Sequence, residues 1–261
     1  MKIAVCIKQV PNTTEIKIDP VTNTLVRDGV VSIINPDDKS ALEVALRIKE
    51  QTGAEINVVC MGPNQAEIAL REALAMGADN AYLISDRAFA GSDTLATSTI
   101  IADALKFIGY DYIIAGRQAI DGDTAQVGPQ IAEHLGVAQV TYCAEFKYNK
   151  KKNEFTVKRQ FEDRYQTLTV SSPALFTVLG ANVTPRYMNV ADIIAQDEKE
   201  IKVLTLADLK CNTAHIGLGG SPTKVKSTFT KQYNSDKKLI ELPAEEAAKV
   251  IAETLKEKHI I

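Results

Sequence analysis

Four short apolar runs, at residues 2–8, 55–61, 82–84 and 112–115, each lead on to a stretch with helical periodicity, and this alternation leaves the chain few folds to choose from. Runs that are apolar without alternation belong to strands buried on both faces, as in a parallel sheet covered by helices. The helical stretches carry their stripes at Ala41, Leu42, Ala45, Leu46 and Ile48, then at Ile68, Leu70, Ala73, Leu74 and Met76, then at Leu95, Ile100, Ile101, Leu105 and Ile108. Gly53, Gly77 and Gly109 are placed to end them, while Asn35 and Asn64 are placed to cap the first two and Gly91-Ser-Asp93-Thr94 opens the third. Such strands are joined by right-handed crossovers, and ligands bind outside their carboxyl ends. Those ends are residues 6–10, 61–62 and 115–116, so three loops are expected to converge on one site.

The fourth strand runs into Gly116, Arg117, Gln118, Ala119, Ile120, Asp121, Gly122, Asp123, Thr124, Ala125, Gln126 and Val127 before a helix with apolar Val127, Ile131 and Leu135. Pro129 has no N–H and is tolerated only in a first turn, so the helix starts near 126–128 and ends at Gly136. Its free N–H groups and dipole can hold a phosphate or pyrophosphate. The loop reads as a nucleotide site, with Thr124 and Arg117 as polar helpers. It reads equally as a plain turn and cap, since Asp123 and Gln126 have capping-pair spacing and bare carboxylates repel phosphate.

After Gly136 the pattern changes to alternation at 140–148, 155–161 and 167–170, which predicts an antiparallel addition, followed by a buried strand at 174–178. Between the first strand and Asp38 lies a long excursion, with a hairpin expected around Ile16, Ile18, Leu25 and Val26. From 196 onward the apolar groups make no stripe wide enough to fold alone, except the amphipathic 243–258 with Ala247, Val250, Ile251 and Leu255 on one face. Two parts are therefore expected: a domain over 1–195, and a C-terminal arm over 196–261 that lies on a partner.

At 261 residues and 45% hydrophobic content the chain can bury a core without staples. A net charge of −3 with interspersed signs argues against nucleic acid, and no run approaches the ~20 apolar residues of a membrane helix. With no signal peptide after Met1, a cytoplasmic protein is expected. Cys6, Cys60, Cys143 and Cys211 are scattered without metal-ligand spacing, His134, His215 and His259 are isolated, and no serine sits in a nucleophile elbow. No catalytic side chain and no metal site is expected.

Taken together, Val5-Cys-Ile-Lys-Gln-Val-Pro11, Asp28-Gly29 with Asn35-Pro36, Arg71-x-Ala73-Leu-Ala-Met-Gly-Ala-Asp79, Gly116-Arg-Gln-Ala-Ile-Asp-Gly-Asp123, Val157-x-Arg159 with Pro173-Ala174, and Pro185-Arg-Tyr187 resemble the beta (small) subunit of electron-transfer flavoproteins over nearly the whole chain. The resemblance implies a Rossmann-like, mostly parallel α/β fold. It also implies a heterodimer whose larger alpha subunit holds an FAD, with an adenine nucleotide, AMP or a second FAD, in this chain. By position that nucleotide is lined by Cys6, Asn35, Pro36, Asp37, Asp38, Met61 and residues 116–127. The segment 181–196 matches a recognition loop for acyl-CoA dehydrogenases such as butyryl-CoA dehydrogenase, with Val190 as anchor beside Arg186, Tyr187 and Ile193. The C-terminal arm matches one that embraces the alpha subunit.

Thr124-Ala-Gln-Val-Gly-Pro129 resembles the flavin-bifurcating branch, in which the second nucleotide is FAD, NADH is the electron donor, and ferredoxin or flavodoxin takes the low-potential electron. AMP-holding members have polar groups where Ala125 and Val127 stand; small and apolar side chains there leave a longer diphosphate room to continue. Two other classes compete. A regulatory adenine-nucleotide sensor fits the βα pattern but needs no flavin, and an ATP-pyrophosphatase-like enzyme needs a Ser-Gly-Gly loop where Lys8-Gln-Val-Pro-Asn12 stands.

Overall fold

The first apolar run is β1 (Lys2–Ile7), buried at every residue but Lys2. This computed structural model describes residues 1–12, 31–226 and 239–261; the hairpin expected around Ile16 to Val26 and the Asp28-Gly29 pair lie outside the described residues. A small antiparallel ribbon, β2 (Gln9–Pro11) with β3 (Ser32–Ile34), leads into α1 (Pro36–Thr52). Then come β4 (Glu55–Met61), α2 (Glu67–Met76), β5 (Asn80–Ile84), α3 (Thr94–Ile108), β6 (Tyr112–Gly116) and α4 (Val127–Leu135). Next follow β7 (Ala138–Asn149), β8 (Glu154–Gln160), β9 (Tyr165–Ser171), β10 (Ala174–Val178), α5 (Val190–Ala195), β11 (Ile201–Leu204), α6 (Leu206–Leu209) and α7 (Gly217–Gly220).

Nine strands form one sheet in the order β11-β5-β4-β1-β6-β10-β7-β8-β9. Pairing is parallel from β11 to β7, and β8 and β9 add the expected antiparallel extension. β10 is the additional buried strand, inserted between β6 and β7. From β1 the chain winds outward through β4 and β5, then returns to place β6 on the other side. The order reverses between β1 and β6, where open α/β sheets form their ligand crevice.

Alternate residues of each strand face opposite sides and meet different helices. Val5, Ile56 and Val58 pack with Leu42, Leu46, Leu70 and Leu74 of α1 and α2, while Ala4, Val59 and Ile113 pack with Ile100, Leu105 and Ile131 of α3 and α4. Each fully buried Leu or Ile contributes about 1.5–3 kcal/mol of transfer free energy, which fixes both helix layers on the sheet. Gly53 and Gly136 end α1 and α4 in the left-handed conformation, and α4 starts at Val127 with Pro129 in its first turn.

Three sequence expectations need correcting. Asn64 does not cap α2: a 3₁₀ turn, Asn64–Ala66, intervenes, and its bond from Ala66 N to Pro63 O (2.8 Å) uses a donor that the cap would have taken. Asp123 and Gln126 do not form a capping pair, because Gln118 Nε2 donates to Asp123 (2.7 Å) and Thr94 Oγ1 donates to Gln126 (2.9 Å). The packing also runs past the boundary expected at 195/196. Two compact units are present, Met1–Lys226 and Ser227–Ile261. β11 pairs with β5 at the sheet edge, and Leu204, Leu209, Cys211 and Ile216 are buried in the α3 and α4 layer. The edge supplies hydrogen-bond partners, and the layer supplies apolar cover, that residues 201–216 do not carry themselves. The second unit contains α8 (Ala244–Glu257), none of whose residues is buried. Among the described residues no helix is long and apolar enough to cross a membrane.

Candidate nucleotide-binding cleft

A cleft of about 950 Å³ opens at the carboxyl ends of β1, β4, β5 and β6. That is at the upper end of the ~300–1,000 Å³ range of small-molecule sites, room for a ligand of dinucleotide size.

The cleft is shaped by the start of α1. Asp38 is buried, and its carboxylate accepts from Lys8 N (2.8 Å) at the end of β1 and from Gly116 N (3.0 Å) at the end of β6. It therefore ties the two strands where their order reverses. Burial pushes its carboxyl up to about 7, against the opposing pull of the two N–H groups. Gly116 cannot be otherwise, since a Cβ there would overlap the Asp38 carboxylate. Asn35, fully buried, donates to Gln118 O (2.8 Å) and accepts from Ile120 N (3.0 Å). Its side chain is thus a clamp on the 116–120 loop instead of a cap on α1, whose first turn relies on Pro36, Asp37 and Asp38.

The acidic side chains that made a phosphate loop awkward all have partners. Lys8 Nζ lies 2.7 Å from both oxygens of Asp121, Asp123 accepts from Gln118, and Asp37 accepts from Gly180 N (3.2 Å) with Arg117 Nε at 3.5 Å. Burial pushes the Asp37 carboxyl up, and the Arg117 charge opposes this. The start of α4 is pressed onto the sheet at Gly128, where a Cβ would come within 2.8 Å of Thr177 Cγ2. Its first N–H groups have no carbonyl in their own helix to meet, and Val127 and Gly128 line the cleft. Asp123 and Ala125 take left-handed conformations (φ 49° and 51°), backbone strain of the kind concentrated at ligand sites.

The structure brings Cys6, Asp38, Met61, Gly116, Arg117, Gln118, Ala119 and residues 121–127 to the cleft wall. Asn35, Pro36, Asp37 and Ile120 do not line it. Sequence reasoning missed a fourth wall, residues 85–94, with the Asn64–Ala66 turn below it. The rule that pointed to three strand ends also covers the end of β5, and Ser92, Asp93 and Thr94 bring the start of α3 beside that of α4. The Cys6 thiol is pushed up to about 12 by burial and stays protonated. Among the described residues no three His, Cys, Asp or Glu side chains group to hold a metal. The arrangement suits binding an elongated anionic ligand through backbone donors.

Of the expected partner residues, Tyr187, Val190 and Ile193 are exposed, by 97%, 73% and 41%. Arg186 is half-buried and is paired within its own chain, with Nε 2.8 Å from Glu43 and Nη1 2.6 Å from Glu50, both on α1. Burial works against the charge of Glu43, yet the Arg186 and Arg47 guanidiniums hold its carboxyl below its ordinary value.

The family model described as "Electron transfer flavoprotein domain" matches residues 22–209. The chain is 51% identical over 261 residues to the electron transfer flavoprotein subunit beta of Clostridium acetobutylicum, covering 100% of both chains. It is 48% identical over 264 residues to subunit CarD of the caffeyl-CoA reductase-Etf complex of Acetobacterium woodii, again across 100% of each. A third relative, the acryloyl-CoA reductase electron transfer subunit gamma of Anaerotignum propionicum, is 44% identical over 270 residues with the same full coverage. With matches of that length and identity, this chain belongs to the electron transfer flavoprotein family, as a beta subunit.

Proposed function

We propose that this beta subunit holds FAD in the cleft and, paired in the cytoplasm with an alpha subunit carrying a second FAD, takes electrons from NADH. It sends one to an acyl-CoA dehydrogenase and one to ferredoxin or flavodoxin. The observation that carries the reading is the wall at 124–127. Ala125 and Val127, small and apolar, stand where the start of α4 opens on the cleft, leaving the phosphate path unblocked. FAD bound there would supply hydride and single-electron transfer. The chain's own part is to hold and orient it: backbone N–H groups of residues 124–127 and the Thr124 hydroxyl bind the pyrophosphate, while the Gly122 and Asp123 N–H groups close the turn onto Ala119 O (3.3 and 2.9 Å) and the loop clamped by Asn35 and Asp38 keeps the donors in place. The exposed Tyr187, Val190 and Ile193 serve as the docking face for the dehydrogenase, and the 227–261 unit pairs with the alpha subunit through the apolar face of α8. That two of the relatives are named for acyl-CoA-type reductases supports an acceptor of this kind.

The test is anaerobic addition of NADH to the purified complex. Bleaching of the flavin absorbance band without any acyl-CoA substrate is expected. A band unchanged by NADH but bleached by a dehydrogenase and its acyl-CoA substrate would contradict the reading.

A further inference from the structure

One stripe of α1 holds the whole base of the proposed docking segment. Asp37 accepts from Gly180 N, Ser40 Oγ donates to Val183 O (3.1 Å), Arg47 donates to Thr184 O (3.1 Å), and Glu43 accepts from Arg186 N (3.1 Å). Positions 37, 40, 43 and 47 recur at the three- and four-residue spacing of one helix face. The first turn of the same helix clamps the cleft loop through Asn35 and Asp38.

Asp37 belongs to both sets. One of its oxygens meets Gly180, the other faces Arg117, whose side chain lines the cleft. The second contact is unfinished: Asp37 Oδ2 and Arg117 Nε are both buried, stand 3.5 Å apart and have no hydrogen-bond partner among the described residues. Leaving a buried donor and acceptor unmet costs roughly 1–3 kcal/mol each, so the Arg117 guanidinium is poised to give up this partner for a better one. A phosphate or diphosphate entering the cleft is such a partner. Nor can Gly180 move freely as this happens, since a Cβ there would overlap Asp37 Oδ1, and Arg117 N is bonded to Val178 O (3.0 Å) just before it.

We propose that Asp37 is a positioning residue that couples occupancy of the cleft by an anionic nucleotide to the setting of residues 180–186, from which the docking face at 187–196 departs. The proposal rests on the reading of the cleft and docking face given above. It does not depend on which adenine nucleotide is bound. A ligand that takes up Arg117 frees the Asp37 carboxylate to tighten on Gly180, and linkage requires that a partner seated on the docking face raise nucleotide affinity by the same factor.

The experiment uses the purified protein with any subunit that accompanies it, stripped of nucleotide and then supplied with FAD or AMP. Binding is followed by equilibrium dialysis and amide hydrogen exchange is read at Gly180, Val183 and Arg186. In the wild type, bound nucleotide should slow exchange at these amides about 5-fold, the lower end for coupled sites. Asp37→Asn should still bind nucleotide, with the slowing reduced below about 2-fold; Arg117→Gln, which removes the other half of the pair, should lose it as well. Glu43→Gln, which loosens the segment without touching Arg117, should raise exchange in both states and keep the 5-fold ratio. A merely structural role for Asp37 would raise both rates and preserve the ratio, which overturns the proposal, as would a full response in Arg117→Gln. Nucleotide binding with no response in the wild type sinks the coupling alone, whereas failure of both nucleotides to bind sinks the cleft reading and the coupling with it.

Discussion

Asp38→Asn is expected to lower the unfolding free energy by about 2–3 kcal/mol near pH 7.5, and the melting temperature by roughly 4–12 °C for a chain of this size. The carboxylate accepts one backbone N–H on each oxygen, from Lys8 and Gly116. An amide keeps only one acceptor, so its NH₂ confronts a buried N–H. The same change loosens the two strand ends that frame the cleft, and nucleotide affinity should fall at least about tenfold, the equivalent of roughly 1.4 kcal/mol. The pH dependence gives a second readout. Unfolded, Asp38 loses its proton near the ordinary 3.8; folded, it keeps the proton until about 7. Between those values the unfolded state binds fewer protons, so this group's contribution to stability is largest below pH 4 and declines as the pH rises through 7. The stability gap between wild type and Asp38→Asn should therefore widen as the pH falls from 7 to 4, by at most about 1.4 kcal/mol per unit. Paired denaturation series across that range decide it, and a gap constant with pH would show the carboxylate charged throughout.

The Ala125→Asn, Val127→Thr double variant should move the cleft's content from FAD toward AMP by tenfold or more. Ala125 sits at φ 51°, a conformation that Asn tolerates better than Ala, and Thr matches Val in shape at the first residue of α4. The variant should therefore fold with a melting temperature within a few degrees of the wild type. Its new polar groups offer partners to a terminal monophosphate and crowd a continuing diphosphate, and one such hydrogen bond, worth about 1 kcal/mol, is enough to change occupancy several-fold. NADH reduction should fall in step. A folded double variant with unchanged FAD content would show that residues 125 and 127 do not select the nucleotide.

The winding of the sheet and the position of its crevice were legible because β1, β4 and β6 are apolar on both faces and because Pro129 and Gly136 mark the ends of α4. What escaped depends on distant partners. Asn35 has the place of a helix cap, and only the fold brings Gln118, 83 residues away, within reach of its side chain. Asp37 and Asp38 look like a helix start with acidic residues, yet their bonds go to Gly180, Lys8 and Gly116. Arg186 stands in the segment that the resemblance marks for a partner, and only the fold shows that Glu43 and Glu50 on α1 hold its guanidinium. The short β11, with Lys202 and the half-exposed Val203 in its middle, carries too little pattern to be seen without the β5 edge that it completes.

The central claim, that this subunit holds a second flavin, is tested most directly by acid extraction of the purified complex followed by chromatographic quantitation of the released nucleotides. Two FAD per heterodimer and no AMP is the predicted result. One FAD and one AMP per heterodimer would contradict it.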